Sequence, residues 1–250
     1  MDRSFLPLRA STPGRAASLR LSVVVPFAPH ESDGDALLDQ LRALPRDAEI
    51  VLVRADGAPW PRALRKNGSE TAGRILVSPP GRARQMNAGA QAARGCWLWF
   101  LHADSRLCFR TLPALHAFLD GGDAALGYFD LRYRNDGPAL ARLNALGANL
   151  RARRLGLPFG DQGFVLPAAW FARLGGYDEG ADCGEDHLLV WRARAAGLPL
   201  RRIAAPLASS ARKYAEQGWW RTTTRHLGLT VRQAWPQWQT RRRAHETRTP

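Results

Sequence analysis

Three short stretches of the chain carry residue types that can do chemistry. His102 and Asp104 close the apolar run Trp97–Leu101. An imidazole and a carboxylate two residues apart can hold a divalent cation such as Mn²⁺ or Mg²⁺. The bland alternative is a core strand ending in a solvated polar turn. Gly81, Arg82 and Arg84 open a small-residue segment that reads as a helix. Free backbone N–H groups and two guanidiniums suit a phosphate there, and a solvated basic turn competes with that reading. Glu185 and Asp186 open another helix. The helix macrodipole favours acids at that end, so capping alone explains them. If Asp186 faces a cleft, it can instead accept a proton from a hydroxyl nucleophile.

Alternating strands and helices must position these groups. Leu21–Val25 reads as a strand ending at Pro26. A helix with apolar positions Ala36, Leu37, Leu38, Leu41 and Leu44 follows, and the spacing gives it one apolar face. Glu49–Val53 and Arg74–Val77 are further strands, and residues 58–73 hold a short-helix candidate. The small-residue helix runs from Pro-Gly to Gly95. Trp97–Leu101 reads as a strand buried on both faces. This alternation predicts an α/β fold with a mostly parallel sheet and right-handed crossovers. Open sheets of that kind place ligands at the carboxyl ends of their strands, where His102 and Asp104 fall. Beyond them the pattern predicts helices at 111–120, 139–155, 168–174 and from Gly184 to Gly197. It also predicts a half-exposed strand over 125–133 and a short one near 200–204.

The totals bound the reading. The chain has 250 residues, 45% of them apolar, which suits one globular domain with a substantial core. A net charge of +14 draws polyanions. Nearly all of it is arginine, Lys66 and Lys213 being the only lysines, so coding bias is a competing cause. Cys96, Cys108 and Cys183 have no zinc spacing, and their odd number fits a reducing compartment. No stretch has the length of a membrane-spanning helix. Residues 1–20 lack a continuous apolar region and read as a loose tail rather than a signal peptide.

In order along the chain, Val23–Pro26, Glu49–Val53, Gly81-Arg-Ala-Arg-Gln-Met-Asn87, Phe100-Leu-His-Ala-Asp104, Gly160-Asp-Gln-Gly163, Gly175-Gly-Tyr177, Gly184-Glu-Asp186 and Ser209-Ser-Ala-Arg-Lys213 resemble a family 2 glycosyltransferase of the GT-A fold. The likeness covers residues 21 to about 225. It is nearest to the small bacterial radical-SAM/selenodomain-associated transferases. Each motif alone is weak, and the ordered set is specific.

The resemblance implies a single GT-A domain over 21–217, with a Rossmann-like, mixed, mostly parallel sheet flanked by helices. Residues 21–105 would bind a UDP- or GDP-type nucleotide-diphosphate sugar, and 106–217 would serve the acceptor and the chemistry. It implies a Mn or Mg ion on Asp104, with His102 on ribose or metal. It implies donor contacts from Pro26, Glu31, Asp56, Gly81, Arg82, Arg84, Asn87 and Ala103. Asp186 matches the general base of inverting transfer to a hydroxyl, supported by Glu185. Asp161 and Gln162 would face donor sugar or acceptor, and Arg212 and Lys213 would neutralise the leaving diphosphate.

The chain departs from the pattern at Arg54, where the family has an Asp after the second strand; Asp56 lies two residues later. The first loop, Pro26–Glu31, is one residue longer than usual. The Trp- and Arg-rich stretch 218–239 reads as helical, with a flexible tail from Arg241. Such a helix can lie in a membrane interface. Alternatively, Trp219 and Trp220 pack on the sheet or close the acceptor cleft. The implied setting is the cytoplasm, or the inner face of the cell membrane if the acceptor is lipid-like. Competing readings are a nucleotidyltransferase-like enzyme, a non-catalytic GT-A scaffold, and a basic nucleic-acid-binding protein. No helix-turn-helix, zinc or RNA-recognition signature supports the last, so nucleic acid is not an expected partner.

Overall fold

A computed structural model describes residues 19–28, 34–58, 73–181 and 183–246, with side chains as far as Arg232. The short helix expected within 58–73 and the loose tail before residue 19 lie outside the described residues.

Four strands run parallel: β1 (Leu21–Phe27), β2 (Ala48–Ala55), β3 (Gly73–Ser78) and β4 (Trp97–Phe100). Helices α1 (Gly34–Leu41) and α2 (Arg82–Ala92) lie between them in sequence. Then come β5 (Arg106–Leu107), α3 (Thr111–Asp120), β6 (Leu126–Tyr133) and α4 (Ala141–Leu155). A 3₁₀ turn (Gly160–Gln162) leads into β7 (Val165–Pro167) and α5 (Ala168–Arg173). The chain continues through α6 (Glu185–Ala195), β8 (Leu200–Ser209), α7 (Arg212–Glu216) and α8 (Trp219–Glu246). The strands form one sheet of order β3-β2-β1-β4-β7-β6-β8-β5. Only β7 and β5 run antiparallel to their neighbours. The expected mostly parallel, helix-flanked α/β sheet is the fold observed.

The unbroken apolar runs of β1, β2 and β4 follow from burial on both faces. Val24, Val51, Val53, Leu98 and Phe100 point to one side, onto Met86 of α2 and Leu189 and Val190 of α6. Val23, Val25, Ile50, Leu52 and Trp99 point to the other, onto Leu37 and Leu41 of α1 and Leu115 of α3. The α2 backbone lies close against the sheet: a Cβ on Gly89 would stand 2.4 Å from Val24 Cγ1 and 2.9 Å from Val53 Cγ2. A small-residue helix is what this approach demands, and it fixes where the α2 amino terminus points.

Several boundaries differ from the sequence reading. The strand expected near 200–204 runs ten residues, to Ser209. Pro206 hid this, since proline ordinarily ends a central strand. Here it sits just beyond the two residues of β8 that pair with β5, beside a register shift against β6. Helix α1 ends at Leu41, before Leu44, in a turn that leads to Pro45. Helix α8 continues past Gln239 and Arg241 to Glu246. Basic residues near a helix carboxyl end suit the macrodipole, so the arginines prolong the helix where a loose tail was expected.

The tight seat of α2 yields a prediction. Gly89→Val forces two β-branched contacts apart and destabilises the fold by about 1–3 kcal/mol, read as a lower denaturant midpoint. An unchanged midpoint would place α2 farther from the sheet.

Candidate active site

The topology gathers polar groups at one edge of the sheet. β4 ends at Phe100, and the chain leaves the core through Leu101, His102, Ala103 and Asp104. Because β7 is antiparallel to β4, the turn preceding it lies beside that exit; Phe100 N–H donates to Phe164 O at 2.8 Å. This brings Asp161 next to His102. β8 ends at the same edge, followed by Lys213, and the amino termini of α2 and α6 open towards it. A cleft of about 1110 Å³ is lined by Gly81, Arg82, Arg84, Asp161, Gln162, Glu185, Asp186, Lys213 and Trp219. Residues far apart in sequence thus meet in one cleft; His102 and Asp104 are not among those that line it.

Asp186 is the most perturbed acid. Burial, then the neighbouring Glu185 charge, raise its pKa to about 7, against the opposing pull of Arg82 and the Gly160 N–H. Its Oδ1 has no hydrogen-bond partner. The Gly160 backbone packs against the same carboxylate, where a Cβ would stand 2.2 Å from Oδ2. Glu185 lies 3.7 Å from the Arg82 guanidinium. Burial opposes the Arg82 charge, but Asp186, Glu185, Asp161 and Asp104 outweigh it and raise the pKa. Asp161 is the reverse case. Burial works against its charge, while Lys213, His102 and Arg82 hold the carboxyl below its usual range. The two acids therefore differ in state near neutrality: Asp161 is ionised and Asp186 is poised to exchange a proton.

His102 is kept neutral by burial and by Arg82, its pKa falling to about 4. Asp104 Oδ2 accepts from Ser209 Oγ and Ser210 N–H, each at 3.2 Å. Ser210 Oγ and Ala211 N–H in turn donate to Asp136, both at 2.8 Å. Asp136 thus fixes the turn that presents Lys213. Sequence reasoning missed it; an acid before Gly137 reads only as a turn. As a metal site, a neutral imidazole and one carboxylate with an oxygen already engaged make a thin donor set. Among the described residues, no group of three or more His, Cys, Asp or Glu could hold a metal ion. These two residues fit an ion completed by phosphate oxygens and water, as Mg²⁺ usually is.

The other residues expected at the site have different placements. Asn87 donates to Tyr177 O at 2.9 Å and to Glu179 at 2.7 Å, and accepts Tyr177 N–H at 2.8 Å. Its amide clamps the Gly175–Tyr177 turn. Gln162 is fully buried; its amide donates to Phe129 O and accepts from Phe159 N–H, holding the turn that aims Asp161. Gln85, not singled out from sequence, bridges Phe27 O and Val53 O at the carboxyl ends of β1 and β2. Pro26 is buried in β1, beyond the end of pairing with β4, and Ala103 is buried too. Arg54 lies within β2 and donates to Ala58 O, whereas Asp56 is exposed on the next turn. Arg84 faces Glu179 at 3.9 Å, at the cleft edge. Arg212 Nε donates to Ser210 Oγ at 3.1 Å, so of the basic pair Lys213 lines the cleft. Glu31 lies outside the described residues. Trp219 walls the cleft, its Nε1 donating to Asn144 at 2.6 Å. Trp220 does not close the cleft; it is 73% exposed, because the helical turn that points Trp219 inward points its neighbour out.

The raised Asp186 pKa carries a stability cost with a defined pH window. An ionised Asp186 disfavours the fold; the cost is absent below about pH 4, grows towards pH 7 and is complete above it. Asp186→Asn should therefore raise the melting temperature at pH 8 and leave it unchanged at pH 4. Equal shifts at both values would mean the carboxylate is not desolvated.

No protein-family model and no curated protein matches the chain. Solved structures do. The chain is similar to S. aureus TarS, with TM-score 0.61 and 16% identity over 78% of this chain and 37% of that one. Against TarS 1-349 in complex with UDP-GlcNAc the TM-score is 0.59 at 16% identity, over 76% of this chain and 58% of that one. Against the complex with UDP it is 0.61 at 16%, over 77% and 60%. The chain thus spans less than two thirds of each of these structures. The likeness is one of fold, the GT-A Rossmann-like arrangement of sheet and helices.

Proposed function

We propose that the chain is a glycosyltransferase that moves a sugar from a nucleotide-diphosphate sugar to a hydroxyl acceptor with inversion. The observation that carries this reading is Asp186: a buried carboxylate with an unpartnered oxygen and a pKa near neutrality, in a cleft whose other side is cationic. The TarS complexes with UDP and UDP-GlcNAc support a nucleotide-sugar donor on this fold.

In this reading Asp186 takes the acceptor hydroxyl proton as that oxygen forms its bond to the anomeric carbon. The bond from that carbon to the diphosphate oxygen breaks on the opposite side, inverting the centre. Negative charge gathers on the leaving diphosphate, where Arg82, Lys213 and the N–H groups opening α2 stabilise it. Glu185 holds Arg82 in place. Asp161, kept ionised, accepts hydrogen bonds from sugar hydroxyls. Asp56 is the carboxylate at the end of β2 available to a nucleobase. A Mg²⁺ or Mn²⁺ borne by the diphosphate would be held by Asp104 and His102 and would neutralise leaving-group charge.

Thermal unfolding with UDP, GDP and their sugar conjugates, with and without Mn²⁺, tests the donor site. Saturating ligand stabilises the native state by about 2.7 kcal/mol at a hundredfold excess over Kd. The expected result is a Mn²⁺-dependent shift with one base, lost in Asp104→Asn. Asp186→Asn keeps that shift and lowers turnover by about 10²–10⁴-fold. Gly160→Ala, which displaces the same carboxylate, lowers kcat at least ~10-fold. Turnover of the unaltered chain rises with pH to a plateau above about pH 7. No shift with any nucleotide, or full turnover by Asp186→Asn, would overturn the reading.

A further inference from the structure

Helices α4 and α8 form the wall of the cleft opposite the acids, and they are joined through Asn144. Trp219 Nε1 donates to Asn144 Oδ1 at 2.6 Å, and Asn144 Nδ2 donates to Thr223 Oγ1 at 2.9 Å. Outward from this seam the two helices are apolar. Leu143, Leu146 and Leu150 of α4 are 56%, 66% and 54% exposed, at i, i+3 and i+7. Trp220, Leu227 and Val231 of α8 are 73%, 62% and 64% exposed, also at helical spacing. With Leu140 and Leu155 at the two ends of α4, they make eight of the eleven large apolar side chains exposed among the described residues. Scattered surface leucines need no explanation, but a concentration on two joined helices does.

The charge along these helices is basic, and the one acid paired with them among the described residues, Asp130, is held by Arg153 of α4 and by Arg202. No Asp or Glu occurs from residue 137 to 160, or from 217 to 245. Arg142 and Arg154 on α4, and Arg221, Arg225 and Arg232 on α8, are exposed beside the leucines. Leu143 and Leu227 belong both to this outer face and to the lining of the cleft, so the face is continuous with the cleft mouth.

We propose that α4 and the first half of α8 form a membrane-docking face, which seats the mouth of the cleft on an anionic lipid bilayer. An apolar stripe flanked by arginines matches acyl chains below and phosphate headgroups at the same level. A second copy of the chain is a poor match, since pairing this face with itself brings arginines together while the nearby acid, Asp130, is already engaged by Arg153 and Arg202. A nucleic acid leaves the leucines uncovered. The inference goes beyond the transferase reading and does not depend on it, because docking is measured without turnover.

The test is co-sedimentation of the full chain with vesicles of phosphatidylcholine alone and of phosphatidylcholine with one third phosphatidylglycerol. The expected result is binding to the anionic vesicles only. Leu146→Glu/Leu150→Glu and Arg221→Glu/Arg225→Glu each weaken it at least ~10-fold, while both variants keep the native melting temperature. Neither pair lines the cleft. Failure to bind either vesicle overturns the proposal. So does undiminished binding by Leu146→Glu/Leu150→Glu, which would reduce the contact to charge alone. A lipid-free dimer that the same variant dissociates would assign the face to a second copy and overturn it too.

Discussion

Burial of the central sheet on both faces is the constraint from which the rest follows. Once Val23 to Val25, Ile50 to Val53 and Trp97 to Leu101 are closed off by helices, an unpartnered charge cannot be tolerated along those strands; the buried Glu49 at the start of β2 is held by Ser22 Oγ and the Arg94 N–H. Polar chemistry is left with the strand ends. The carboxyl edge receives it because parallel strands all arrive there together. The antiparallel β7 then matters out of proportion to its three residues: it returns the chain so that the Gly160–Gln162 turn meets the end of β4.

That edge holds more charge than its solvent exposure would allow singly. Four carboxylates act on Arg82, and the same guanidinium depresses His102 and opposes the proton affinity of Asp186. The balance is local. Asp161 sits where Lys213 reaches it and stays ionised; Asp186 sits buried beside a like charge that Arg82 and the Gly160 N–H do not offset, and its proton is held near neutrality. Two acids on the same cleft are thereby given different protonation behaviour by their surroundings, as in other sites with paired carboxyl groups.

The groups gathered at this end of the sheet were legible in the sequence where a motif coincided with an element boundary. His102 and Asp104 end an apolar run, Arg82 follows a Pro-Gly start, and Glu185 and Asp186 precede a helix. The parallel sheet was legible for the same reason, as alternation. What was hidden depends on long-range pairing. Asn87 and Gln162 look like ligand contacts in their motifs, yet each amide is held by backbone brought from elsewhere, in the case of Asn87 from 90 residues away. Asp136 pairs locally with Arg134, as any surface acid does, while the partners that give it its place lie on the turn after β8. The length of β8 was masked by a proline whose unpaired side is visible only once β5 is in place.

The Asn87 clamp has a mechanical consequence. One amide on α2 holds both the N–H and the carbonyl of Tyr177, so the helix whose amino terminus opens on the cleft and the turn leading towards α6 are coupled as parts of one frame. Motion that opens this side of the cleft has to carry α2 with it, and α2 is wedged against Val24 and Val53 with no slack at Gly89. The stiff wall is thus the one that carries Arg82, Glu185 and Asp186. The opposite wall is a separate unit, α4 and α8 tied to each other by Asn144, so it can shift without disturbing the frame that carries Asp186.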